Sequence, residues 1–240
     1  MNILAIGNSF SQDATRYINA IAKADNVDLT VVNLYIGGCS LKRHYLNMQS
    51  DSKEYELEYN GENTGFFVSL KEAVTNRQWD YITLQQVSQD SIDYKTYQPY
   101  LNELAAFIRK ECPESKIVIH QTWAYENGSD KLCKELGYTI QDEMFKDLKS
   151  AYDKASEDIQ ADMIIPSGML FQIMIKKGMK IHRDTFHATY GLGRYSLGLL
   201  WYLKLTGRSI RNNTFCEFDE NVSENDAALV KEIVEGFSCN

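Results

Sequence analysis

Ser9 follows an apolar run, Ile3-Leu4-Ala5-Ile6, with only Gly7 and Asn8 between. A serine at the carboxyl end of a first buried strand sits where open α/β sheets hold their ligands, among the free backbone N–H groups of a helix start. Such a hydroxyl becomes a nucleophile when a base, a group that orients the base and donors for an oxyanion converge on it. The chain has four histidines from which to draw the base. His187 stands three residues after Asp184 in Arg183-Asp184-Thr185-Phe186-His187. One turn of chain can fold that carboxylate onto the imidazole, fixing its tautomer and stabilising the imidazolium. The competing readings are structural: Ser9 as a helix cap, although Ser11 suits that role better, and 183–189 as a surface loop with Thr189 capping the next helix.

Oxyanion donors are sought at the same edge of the sheet. Gly37-Gly38 follows a second apolar run, and glycine lets a backbone N–H approach a ligand closely. A third run ends in Leu84-Gln85-Gln86-Val87-Ser88-Gln89-Asp90, where Gln86 or Gln89 could donate through its amide. A fourth ends in His120-Gln121-Thr122-Trp123, which offers Gln121 and Trp123 as substrate-binding side chains. His120 reads as a hydrogen-bonded, partly buried ring, His44 as solvated beside Lys42 and Arg43, and His182 as too close to His187 to be a second base.

Positioning these residues requires alternating strands and helices. Strand patterns fall at 3–6, 27–35, 79–85, 116–121 and 163–165, and helical spacing at 13–24, 97–110, 138–155, 169–177, 191–205 and 224–237. That order predicts a three-layer α/β/α sandwich around a five-stranded parallel sheet. A single domain over 1–240 is expected, with a small polar hairpin insertion at 49–64. A net charge of −8 argues against nucleic acid as the partner. The five cysteines, Cys39, Cys112, Cys133, Cys216 and Cys239, are odd in number and lack a CxxC pair, so neither a disulfide framework nor a metal site is expected. No run reaches the length of a membrane span, and a cytoplasmic protein without cofactors is the simplest expectation. The first glycine loop lacks the G-x-x-x-x-G-K-[ST] phosphate-binding pattern, which disfavours a nucleotide binder.

Taken together, these blocks resemble the SGNH, or GDSL-like, hydrolase superfamily. Gly7-Asn8-Ser9 matches its Gly-Asp-Ser block, Gly38 its second-block glycine, and Asp184 and His187 its closing Asp-x-x-His, over about residues 2–205. The stretches 7–11, 37–41, 84–86 and 120–125 are similar to a bacterial branch of that superfamily. The resemblance implies a flavodoxin-like SGNH fold and a serine esterase acting through an acyl-serine. Ser9 would be the nucleophile, His187 the base and Asp184 its orienter, with the N–H groups of Ser9 and Gly38 in the oxyanion hole. It also implies a carbohydrate or other small acyl ester as substrate. An acyltransferase and a non-catalytic carbohydrate-binding module are the alternatives. Two positions depart from the superfamily pattern. Asn8 replaces an aspartate, and no Gly-x-Asn-Asp follows the third strand, so Gln86 or Gln89 must stand in for the asparagine.

Overall fold

A computed structural model describes residues 1–238. The chain runs β1 (Asn2–Gly7), α1 (Ser9–Thr15), α2 (Ile18–Ala24), β2 (Thr30–Tyr35), α3 (Leu41–Ser50), β3 (Tyr55–Tyr59), β4 (Glu62–Val68), α4 (Leu70–Thr75) and β5 (Tyr81–Leu84). It continues through α5 (Tyr100–Glu111), β6 (Lys116–Gln121), α6 (Gln141–Asp158), β7 (Met163–Pro166), α7 (Ser167–Lys176), α8 (Leu192–Thr206) and α9 (Glu224–Glu235).

The sheet has seven strands in the order β4-β3-β2-β1-β5-β6-β7. The neighbours in the run β2-β1-β5-β6-β7 all pair in parallel. The expectation of five parallel strands is corrected at one edge. The polar stretch read as an insertion forms β3 and β4, and β3 pairs antiparallel with β2, so the sheet is mixed. The physical reason lies in both faces of that hairpin. Tyr55 packs into the core below the sheet. Glu58, buried on the other face, accepts from the Asn33 amide of β2 at 2.7 Å and from Gln12 of α1. Polar partners thus hold a segment too polar to read as core.

Alternation along the strands assigns the two faces. Ile3 and Ala5 of β1 face α1, α2, α7, α8 and α9, and Leu4 and Ile6 face α3 to α6. The chain leaves β1 for β2 on one side and later returns to β5 on the other. That reversal makes the carboxyl end of β1 a topological switch point, the usual place for a ligand crevice in such sheets. Between Asn8 and Ala24 two helices occur rather than the one expected at 13–24. Thr15, the last residue of α1, bonds its hydroxyl back to the Ser11 carbonyl at 2.9 Å, a contact that weakens and often bends helices. Among the described residues no helix is long and apolar enough to cross a membrane. The four described cysteines are free thiols, and Cys239 lies outside the described residues.

Candidate active site

Helix α1 begins at Ser9 itself, because Asn8 and not Ser11 is its cap: the Asn8 Oδ1 accepts from the Phe10 N–H at 3.0 Å. Asn8 is buried and does two further things. Its Nδ2 donates to the Cys39 carbonyl at 3.0 Å, and its Oδ1 also accepts from Gln85 Nε2 at 2.9 Å. Gln85 is in turn fixed by His120, whose Nδ1 lies 2.6 Å from Gln85 Oε1 and whose Nε2 lies 3.1 Å from Ser167 Oγ. Burial drives the His120 pKa down to about 3, so the ring is neutral and one nitrogen can donate to the amide oxygen. The carboxyl ends of β1, β2, β5 and β6 are thereby stitched together through side chains. The close approach is visible at Gly7, where a Cβ would lie 2.4 Å from Ser11 Oγ.

From that turn Ser9 meets the loop that precedes α8. Ser9 Oγ lies 2.7 Å from His187 Nε2, and His187 Nδ1 lies 2.8 Å from Asp184 Oδ2. A carboxylate only accepts, so Nδ1 carries the proton and Nε2 is left to accept from the Ser9 hydroxyl. Asp184 also accepts from the backbone N–H groups of His187 (2.9 Å) and Phe186 (3.4 Å) through Oδ1. Burial works to raise the Asp184 pKa, but the hydrogen bond from the His187 ring and the two backbone donors outweigh it and hold the carboxyl below its ordinary value.

The loop is held from behind. Trp123 Nε1 donates to the Phe186 carbonyl at 2.7 Å, and the Trp123 ring stacks on Phe10 at 4.3 Å. Asp13, wholly buried, accepts from Arg183 Nη1 at 2.9 Å, from Arg194 Nε at 2.9 Å and from the Ala188 N–H at 3.0 Å. Sequence reasoning missed Asp13. It sits in the first helix, 170 residues from Arg183, and nothing local distinguishes it from a surface acid. Gly191 is the N-cap of α8, and Thr189 supports that helix start by accepting from the Gly193 N–H at 2.8 Å, while the same loop carries His187. The two readings of 183–189 are therefore compatible.

A cavity of about 340 Å³ opens over Ser9, lined among others by Tyr35, Gly38, Ser88, Gln89, Tyr125, Lys131, Phe186 and His187. Gly38 has φ +61°, a left-handed conformation that favours glycine. Among the described residues no backbone carbonyl takes the N–H of Ser9 or Gly38.

Several expected residues are not in the lining. Gln86 is buried, with Oε1 accepting from the N–H groups of Leu41 and Val87, each at 2.9 Å, and Nε2 donating to the Thr96 carbonyl at 3.1 Å. Its amide is fully committed, so of the two glutamines only Gln89 reaches the cavity. Gln121 turns away to accept from the Met169 N–H at 3.2 Å, and Trp123 lies behind Phe10; both are corrected from lining to supporting side chains. His44 is buried rather than solvated, its Nδ1 2.9 Å from the Tyr55 hydroxyl, and burial lowers its pKa to about 3. His182 is buried against the Ala124 carbonyl at 3.1 Å. A larger hollow of about 740 Å³ lies between segment 211–222 and α9, lined by Phe215, Phe218 and Lys231 among others, away from Ser9 and His187. Among the described residues no group of three or more His, Cys, Asp or Glu side chains could hold a metal ion.

The fold and its switch-point crevice define an α/β protein with a central mixed sheet, an architecture shared with solved structures of hydrolases. One, proposed to be an SGNH hydrolase, is from Slackia heliotrinireducens (22% identity, TM-score 0.60, covering 84% of this chain and 97% of that one). Another is the lipase/acylhydrolase from Enterococcus faecalis (13% identity, TM-score 0.53, 86% and 96%). At these identities the likeness is one of fold. The chain belongs to the DUF4886 family, a domain of unknown function, whose model matches residues 2–235. A DUF4886 family protein from Bacteroides uniformis is 30% identical, with a TM-score of 0.90, covering 98% of this chain and 93% of that one. No curated protein matches the chain.

Proposed function

We propose that this protein is a serine ester hydrolase that removes a small acyl group through an acyl-Ser9 intermediate. The observation that carries the reading is the unbroken line of hydrogen bonds from Asp184 through His187 to Ser9. Ser9 Oγ attacks the ester carbonyl as its proton passes to His187 Nε2, and Asp184 stabilises the imidazolium. The carbonyl oxygen becomes an oxyanion held by the N–H groups of Ser9 and Gly38 and by the Gln89 amide. Collapse breaks the bond to the alcohol oxygen, which takes the proton from His187. Water, deprotonated at the same nitrogen, then attacks the acyl-serine and releases the acid. Tyr35 and Ser88 give the cavity polar groups suited to a hydroxyl-rich alcohol such as a sugar, and its volume suits a short acyl chain.

Hydrolysis of short-chain p-nitrophenyl esters tests the reading. Wild-type protein is expected to turn them over, with losses of about 10⁴-fold or more for Ser9→Ala and His187→Ala. Equal rates for wild type and Ser9→Ala would overturn it.

A further inference from the structure

We infer that the ester this site takes carries a negative charge on its alcohol portion, and that Lys131 selects for it. The inference rests on the hydrolase reading above. Lys131 is the one lysine or arginine among the described residues lining the cavity, and no aspartate or glutamate lines it. That composition runs against the protein as a whole, which has a net charge of −8. Lys131 stands where its chain turns in one wide helical turn, Lys131–Glu135, and its Nζ sits 4.6 Å from the centroid of the Phe186 ring. Phe186 in turn lies against the His187 ring, centroids 4.0 Å apart. The ammonium is thus held by a cation–π contact over Phe186, the aromatic neighbour of the general acid.

This places the charge relative to the reaction. His187 must protonate the departing oxygen, so the alcohol leaves on the His187 side. Phe186, stacked on His187, and the ammonium held over Phe186 are therefore placed on the alcohol side rather than the acyl side. Glu135, the nearest acid to the ammonium, is 3.7 Å from it and lies outside the lining, so Lys131 still presents positive charge to the cavity. Its side chain is about one-third exposed (37%), which leaves it room to reach an anion and limits the strength of each contact.

Two acetyl esters with related phenol leaving groups test the inference: 4-acetoxybenzoate, anionic on the alcohol side, and its neutral methyl ester. The quantity read is the ratio of kcat/KM for the anionic ester to that for the neutral one. Lys131→Met is expected to lower this ratio about three- to tenfold relative to wild type, mainly through KM of the anionic ester. Lys131→Glu is expected to lower it further, Lys131→Arg to retain most of it, and added salt to weaken the wild-type preference. Comparing variants on the same pair cancels the difference in leaving-group reactivity. Hydrolysis of both esters with an unchanged ratio in Lys131→Met and Lys131→Glu would overturn the inference and leave the esterase reading standing. Failure of the wild-type protein to hydrolyse either ester would overturn the esterase reading and the inference with it.

Discussion

The carboxylate of Asp13 accepts from the backbone N–H of Ala188 at 3.0 Å, tying the first helix to the residue that follows His187. Two arginines from either side of His187, Arg183 and Arg194, converge on the same carboxylate. Ser9 and Asp13 share α1, so one short helix carries the hydroxyl and anchors the loop bearing His187.

Asp13→Asn is expected to destabilise the fold by about 3–5 kcal/mol, since it removes the one buried carboxylate between the two arginines, leaving Arg194 with only Asp219 and Arg183 with only the looser Asp184. For a chain of this size that corresponds to a fall in Tm of about 10 °C. Because His187 loses its anchor, kcat should fall in the remaining folded protein while KM changes less. A Tm within a degree of wild type would contradict the structural role.

Asn8 occupies a position where an aspartate would be a misfit. Its amide donates to the Cys39 carbonyl and accepts from Phe10 and Gln85 at once. Asn8→Asp keeps the helix cap but sets an oxygen against that carbonyl in a buried site. A cost of about 1–3 kcal/mol is expected, read as a lower midpoint in urea denaturation. An unchanged midpoint would show that the amide donor is dispensable.

The two glutamines after β5 should separate cleanly. Gln89→Ala is expected to lower kcat about 10²- to 10³-fold, the usual loss for one oxyanion donor, with stability close to wild type. Gln86→Ala leaves the Leu41 N–H without its partner and should show chiefly as lost stability, about 1–3 kcal/mol. Reversal of the two phenotypes would return the donor role to Gln86.

Much of this was legible in the chain, and the rest failed for identifiable reasons. The five parallel strands and the ends that carry Ser9, Gly38 and Gln89 follow from apolar runs stopped by glycine or polar residues. Strands β3 and β4 were not placed in the sheet because what holds Glu58 is a partner on another strand, Asn33, and one on a helix, Gln12. Helices α3 and α4 were passed over although each carries a local start signal. Ser40 accepts from the Arg43 N–H, and Ser69 with Glu72 forms a reciprocal capping box. His44 is buried despite its basic neighbours because Lys42 and Arg43 are exposed while the histidine, one step further round α3, faces Tyr55. Gln86 and Gln89 could not be ranked from residue type, since which amide is free depends on Leu41 and Thr96, distant in sequence.

Ser9 is the proposed nucleophile, and the Nε2 of His187, its proposed base, lies 2.7 Å from its hydroxyl. Treatment with a fluorophosphonate, followed by mass spectrometry of the digested protein, tests it most directly because no natural substrate is needed. The account predicts one covalent adduct on Ser9, formed rapidly in wild type, strongly slowed in His187→Ala and absent in Ser9→Ala. Labelling of another hydroxyl such as Ser11, or equal labelling with and without His187, would contradict it.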